Sequence, residues 1–83
     1  MAIIRLFASL RDKFGANDLQ IRITDRKKLR NVLEEAATIH GIDPGFLSAG
    51  SFLCAINQQM AGQEDMVGDE DEIAIFPPMS GGM

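Results

Sequence analysis

Apolar and polar residues alternate along two segments near the start of the chain. In residues 2–9 the even-numbered positions are all apolar, and in residues 18–24 the odd-numbered positions carry leucine or isoleucine between polar neighbours. A period of two is typical of strands with one buried face, and it places Arg5 and Phe7 on the other face. A turn is predicted over residues 11–15, so the two segments are expected to form an antiparallel hairpin.

The period changes to that of a helix after Asp25. Apolar residues recur at positions i, i+3, i+4 and i+7 from Leu29 onward, which predicts an amphipathic helix with one buried face. Thr24 or Asp25 is expected to cap its first turn, and Gly41 is expected to end it.

Two further strands are predicted in the second half of the chain. Residues 52–56 form a short apolar run, and a turn is expected at 57–59. An acidic loop at 62–71 leads to a last strand at 72–76. Pro77 stops this strand, because proline has no N–H to donate to a ladder.

The order β-β-α-β-β predicts an α+β fold in which a sheet packs on one face of a single main helix. On the last strand Ile73 and Ile75 are expected to face the helix. Ala74 and Phe76 then lie on the open face, and Phe7 comes out on the same face. Exposed aromatic residues on so small a domain predict a binding surface there.

Charge is divided unevenly along the chain. All Lys and Arg residues lie at or before Arg30, so residues 1–30 have a net charge of +5, whereas residues 31–83 have nine acidic residues and a net charge of −9. The acidic part argues against nucleic acid and membranes as partners and favours a basic protein surface. The basic run 26–28 would oppose the dipole of the predicted helix, which suggests a role toward a partner.

Composition excludes several kinds of chemistry. The chain has 83 residues with one Cys and one His, so neither an internal disulfide nor a Cys/His zinc cluster can form. Cys54 is interpreted as a core residue and His40 as an ordinary helix-end residue. No nucleophile–base pair, calcium loop or nucleotide motif is recognisable, so the chain is not expected to be an enzyme on its own. No signal peptide or membrane span is recognisable either, which predicts a cytoplasmic protein.

The C-terminal segment has an unusual composition. After the last strand it contains, in order, Pro77, Pro78, Met79, Ser80, Gly81, Gly82 and Met83. Two prolines hold the exit from the strand extended, and two glycines have no side chains, so the end of the chain can enter a narrow active site. The domain is therefore expected to span residues 1–78, with a flexible tail at 79–83.

These segments resemble the sulfur-carrier subunits of molybdopterin synthases, a ubiquitin-like β-grasp family with a mixed sheet. The likeness covers the whole chain. It rests on Leu6-Phe7-Ala8, Arg11-Asp12 with Gly15, Ala55-Ile56-Asn57-Gln58 and the run from Asp71 to Pro78. The most specific part is the terminal Phe-Pro-Pro-x-Ser-Gly-Gly, since thiamine-pathway carriers share Gly-Gly but generally lack Pro-Pro.

The resemblance implies a carrier cycle. An E1-like adenylating enzyme would use ATP to activate the carboxylate of Gly82, with Gly81 providing clearance, and sulfur would replace AMP to give a thiocarboxylate. The tail would then enter the large catalytic subunit of molybdopterin synthase, in a heterotetramer. Two such sulfurs would form the dithiolene of molybdopterin. The carrier itself would bind no cofactor stably.

The resemblance also implies which residues contact these partners. They are the hydrophobic residues Phe7, Met60 and Phe76, and the tail residues Pro77, Pro78, Met79 and Ser80. For Phe7 and Phe76 the strand-face argument points independently to the same surface.

Two positions depart from the family's pattern. Met83 follows Gly82, whereas the family normally ends at glycine. Either a peptidase removes Met83, or Met83 is not native to the chain, or the chain does not carry sulfur. Glu70 stands where the family usually has glycine, and a positive φ there would be strained, unless Gly68 takes over the turn.

Two other functions stay open. One is a sulfur carrier of another pathway, of the thiamine, cysteine or siderophore type, or a ubiquitin-like protein modifier, each of which needs removal of Met83. The other is a non-covalent β-grasp binding module with an inert tail.

Overall fold

The computed structural model describes residues 1–42 and 52–77. Within these residues the elements are β1 Ala2–Leu6, α1 Ser9–Phe14, β2 Asp18–Ile21, β3 Lys27–Lys28, α2 Leu29–Ile39, β4 Leu53–Ile56, β5 Gln59–Ala61, β6 Met66–Val67 and β7 Glu72–Phe76. A five-stranded sheet has the order β2-β1-β7-β4-β5, and β3 pairs with β6 in a separate ribbon. The central strands β1 and β7 are parallel and the other pairs are antiparallel, so the sheet is mixed, as predicted.

The core lies between α2 and one face of the sheet. The residues predicted to point inward are all buried: Ile4, Leu6, Leu19, Ile21, Ile23, Ile73 and Ile75. They form one cluster with the helix residues Leu29, Val32, Leu33 and Ala36. Strand alternation and helical spacing predicted this core correctly, because both patterns mark side chains that are removed from water together.

The turn predicted at 11–15 is wrong, because the segment between β1 and β2 is the helix α1. Leu10 anchors this helix in the core. Gly15 ends it in the left-handed conformation at φ 71°, which glycine adopts without strain. The antiparallel pairing of β1 with β2 is confirmed. β2 is shorter than the predicted segment 18–24 and ends at Ile21.

The predicted start of the main helix is also wrong. The helix α2 begins at Leu29, and its capping position is occupied by a lysine without a side-chain cap, not by Thr24 or Asp25. The N–H of Leu29 donates instead to the backbone carbonyl of Asp65 at 2.8 Å. A cap from a segment so distant in sequence leaves no local signal. The predicted end is confirmed, with Gly41 at φ 75°.

The basic run before α2 is paired within the chain. Its ion pairs join Arg26 to Asp71, Lys27 to Glu35 and Lys28 to Glu64. These basic residues precede the helix, so their predicted place within its first turn is wrong, and the ion pairs compensate their charges beside its N-terminus. Oppositely charged segments of the chain instead meet in the fold. Such exposed pairs add little to stability, because water and salt screen the two charges.

The second half contains two strands that the sequence did not predict, β5 and β6. β4 and β7 are confirmed. The turn after β4 comprises Asn57 and Gln58, since Gln59 already belongs to β5. Glu70 does not have a positive φ, so the strain considered there is absent. For residues 41–51 the sequence predicts a loop or a short turn of helix, and 43–51 of this segment lie outside the described residues.

Cys54 is buried in β4, which agrees with its interpretation as a core residue. Burial raises the pKa of its thiol above the ordinary value, so the group is held in its unreactive neutral form. Neither helix of the described ranges is long and apolar enough to cross a membrane.

Candidate partner-binding face

The side of the sheet opposite α2 has a shallow recess of about 570 Å³. Its lining residues, which we call the open face, are Arg5, Phe7, Ala55, Gln58, Met60, Glu72, Ala74 and Phe76. Three of them, Phe7, Met60 and Phe76, are the hydrophobic contact residues predicted from the sequence. The fold therefore brings together residues from β1, β5 and β7 that are far apart along the chain.

Strand register explains why the two phenylalanines meet. In the parallel pair Arg5 lies opposite Ala74, so continuing both strands by two residues brings Phe7 beside Phe76. Their rings stack with centroids 4.7 Å apart and planes inclined by 18°. Phe7 remains 40% exposed. An exposed stacked pair presents a rigid apolar surface that a partner can cover.

Small residues form the floor of the recess. Ala55 and Ala74 lie opposite each other in β4 and β7. Met60 of β5 also lies opposite Ala55, on the side of β4 away from β7. It is 68% exposed, the largest exposed fraction among the large hydrophobic residues of the described ranges. Because alanine side chains are short, the aromatic pair and the methionine rise as two walls around a depression.

The exposure of Leu53 was not predicted, because residues 52–56 were interpreted as a buried strand. It lies opposite Phe76 in the antiparallel β4–β7 pair and is 41% exposed. Its register puts it on the same side of the sheet as the open face. Cys54 points inward, so strand alternation puts its neighbour Leu53 on the opposite side of the sheet. The uninterrupted apolar run 52–56 concealed this alternation in the sequence.

The rim of the recess is polar. Arg5 and Glu72 form an ion pair across β1 and β7. The hydrogen bond to Glu72, together with its negative charge, raises the pKa of the Arg5 guanidinium above its ordinary value. Gln58 adds an uncharged polar group on the hairpin side. An apolar centre with a polar rim is the usual anatomy of a protein–protein interface, so this surface is suited to binding.

The remaining predicted residues lie at or beyond the end of β7. Pro77 follows Phe76 directly and is half-buried. The predicted roles of Pro78, Met79, Ser80, Gly81 and Gly82, and the domain boundary at residue 78, fall outside the described residues and stay predictions. In the sequence these residues follow directly on β7, the strand that contains Phe76 of the open face.

The fold is that of ubiquitin-like β-grasp proteins. The crystal structure of small archaeal modifier protein 1 from Haloferax volcanii superposes with a TM-score of 0.79 over 98% of both chains at 20% sequence identity. The solution structure of the protein of that name from Methanosarcina acetivorans gives a TM-score of 0.71 at 26% identity, covering 98% of this chain and 95% of the other. The predicted fold class is therefore confirmed.

Within this class the chain belongs to the ThiS family, whose model matches residues 4–82. A relative from Haemophilus influenzae is 34% identical over 82 residues, which are 99% of this chain and 100% of the relative. That relative is named the molybdopterin synthase sulfur carrier subunit. The resemblance drawn from the sequence motifs is thereby confirmed.

Proposed function

We propose that this chain is the sulfur-carrier subunit of a molybdopterin synthase. The observation that carries the proposal is full-length similarity to a carrier subunit of that name, in a chain that keeps the Pro-Pro and Gly-Gly tail. The open face supports it, because a carrier must be held by enzymes that act on its tail. Neither the open face nor the relative's name assigns catalysis to the chain itself.

The proposed chemistry takes place at Gly82 after removal of Met83. An E1-like enzyme transfers AMP from ATP to the Gly82 carboxylate and releases pyrophosphate. A sulfur donor then displaces AMP and leaves a thiocarboxylate. The tail enters the large synthase subunit, which supplies the catalytic groups and uses the sulfur to build the molybdopterin dithiolene. The proposal includes a cytoplasmic location and consumption of ATP by the activating enzyme only.

The intact mass of the protein isolated from its own cells tests this proposal. The expected result is a species without Met83, a fraction of which has sulfur in place of one terminal oxygen. A Gly82→Ala variant is the matched control, and it should bind the large subunit but accumulate less thiocarboxylate. Retention of Met83 throughout would overturn the proposal, because the carboxylate of Gly82 would never be free.

A second candidate is a protein modifier, or a sulfur carrier of another pathway, that uses the same activation. It is favoured by the structural similarity to proteins named small archaeal modifier protein 1. Isopeptide-linked adducts of this chain in cell extracts would support it. Their absence, together with a tight complex with a large synthase subunit, would reject it.

Deletion of residues 81–83 distinguishes the two carrier functions from the third candidate, a non-covalent binding module with an inert tail. That module would keep its function after the deletion, whereas both carriers would lose theirs.

A further inference from the structure

The hairpin between β4 and β5 turns through two residues in the left-handed region. Asn57 has φ 52° and Gln58 has φ 71°. Two positive φ values at the centre of a two-residue loop are typical of a type I′ turn, whose twist matches that of the strands. Asparagine tolerates this conformation better than most residues. That tolerance explains the backbone conformation of Asn57 but not the contacts of its side chain.

The side chain of Asn57 ties this turn to the start of β7. Its Oδ1 accepts a hydrogen bond from the Glu72 N–H at 3.0 Å, and its Nδ2 donates to Oδ1 of Asp71 at 3.0 Å. The Asn57 N–H also donates to the Glu72 carbonyl at 2.7 Å. These bonds lie beyond the pair Ile56–Ile73, the last register pair of the β4–β7 ladder. They extend the connection between the hairpin and the central strand.

The hairpin carries one wall of the open face. Gln58 and Met60 line the recess from the turn and from β5. β5 is an edge strand of three residues that pairs with β4 alone in the described sheet. Its position relative to Phe76 therefore depends on the short β4–β5 ladder and on the attachment of the turn. Glu72, the residue that receives this attachment, itself lines the recess.

We propose that Asn57 is a positioning residue of the open face, which holds the Gln58–Met60 wall at a set distance from the Phe7–Phe76 pair. Asn57 does not itself line the recess, so it acts through its neighbours. The inference rests on the proposed function in one respect, since the partner used to test it is the large synthase subunit. It assigns to the asparagine of the Ala-Ile-Asn-Gln motif a role in recognition as well as in turn formation.

The variant Asn57→Gly isolates the side-chain contribution. Glycine adopts a positive φ without strain, so the turn is retained while both side-chain hydrogen bonds are removed. We expect affinity for the purified large subunit to fall by up to about tenfold, because the Gln58–Met60 wall then occupies its binding position for a smaller fraction of the time. Asn31→Ala, an exposed asparagine on α2, is the matched control and should bind like the unaltered protein. Unchanged binding by Asn57→Gly, in a variant whose circular dichroism shows the native fold, overturns the proposal.

The variant Asn57→Asp supplies a second readout, the dependence of binding on pH. The new carboxylate still accepts from the Glu72 N–H but faces Asp71, with Arg26 3.9 Å from the other oxygen of Asp71. Two adjacent carboxylates raise the pKa of one of them, so mild acid allows them to share a proton and restores the bond. Affinity, taken relative to the unaltered protein at the same pH, should therefore be higher in mild acid than at neutral pH. A relative affinity that does not change with pH overturns the proposal.

Phe76→Asp, measured with the same partner, distinguishes failure of the proposed docking surface from failure of the role proposed for Asn57. If Phe76→Asp binds normally, the open face is not the docking surface, and that part of the proposed function fails. If Phe76→Asp loses binding while Asn57→Gly keeps it, the proposed function survives and only the role of Asn57 is rejected.

Discussion

The two faces of the central sheet are built from the same strands, but one is buried and the other is exposed. Toward α2, Ile73 and Ile75 of β7 are fully buried. On the other side the alternate residues Ala74 and Phe76 line an exposed recess. The inner face stabilises the domain by removing apolar surface from water. The open face leaves apolar surface in contact with water, where it adds less to stability, and this agrees with the recognition role proposed for it.

The largest expected effect on stability comes from the inner face. Ile75→Ala removes three buried carbon atoms from a side chain with no exposed surface. We expect the free energy of unfolding to fall by about 3 kcal/mol, from the lost transfer energy and the cavity left behind. The measurement is unfolding by denaturant. Ile39→Ala is the same substitution at a site that is 65% exposed, and it should change stability by less than about 0.5 kcal/mol. Equal losses at both sites would contradict the division between buried and exposed positions.

The open face should show the opposite pattern. Phe76→Asp places a charge beside Phe7 and breaks the stacked pair, so affinity for the large subunit should fall at least about a hundredfold. Stability should fall only by about 1 kcal/mol, the value of an aromatic pair. Titration calorimetry and thermal unfolding measure the two effects. Ile39→Asp, on the far side of the molecule, is the matched control for binding. An unfolded Phe76→Asp variant would show that the open face also holds the fold together.

Acid should act on the surface of the domain and not on its core, because the buried core contains no carboxylate in the described residues. At the sheet margin a hydrogen bond from the Ile23 N–H, assisted by the N-terminal ammonium group, lowers the pKa of Asp69 below its ordinary value. A pKa that is lower in the folded state adds stability at neutral pH, and this stability is lost as pH falls below about 4.

Asp69→Asn keeps the oxygen that accepts from Ile23 but cannot titrate. Denaturant unfolding at neutral pH and in acid should therefore show a smaller loss of stability in the variant than in the unaltered protein. An identical loss in both would indicate that Asp69 does not contribute to acid sensitivity.

The smallest expected effect lies at the end of β1. Ala8 follows Phe7 and has φ 53° and ψ −129°, a conformation that favours glycine. Ala8→Gly should raise the free energy of unfolding by up to about 1 kcal/mol, because relief of strain exceeds the added flexibility of the unfolded chain. Thermal unfolding measures the change. A destabilised variant would show that Ala8 is not strained.

Prediction from the sequence succeeded where the deciding signal was local. The periods of two and 3.6 residues located the core, and strand alternation placed Phe7 and Phe76 on one face. Prediction failed at α1, where a short helix was taken for a turn, and at the start of α2, whose first N–H is capped by Asp65. It also missed β5 and β6, because strands of two or three residues are too short to show a period.

Alternation and composition were thus sufficient for the fold class, the buried residues and the aromatic pair, since each follows from which side chains leave water. Motifs in the chain were sufficient for the family. Folding was needed to show that the basic run is neutralised by the acidic segments, that Leu53 lies on the same side of the sheet as the open face, and that Asn57 is bonded to β7. These features depend on residues distant in sequence coming within hydrogen-bond or contact distance, and no local pattern encodes such a distance.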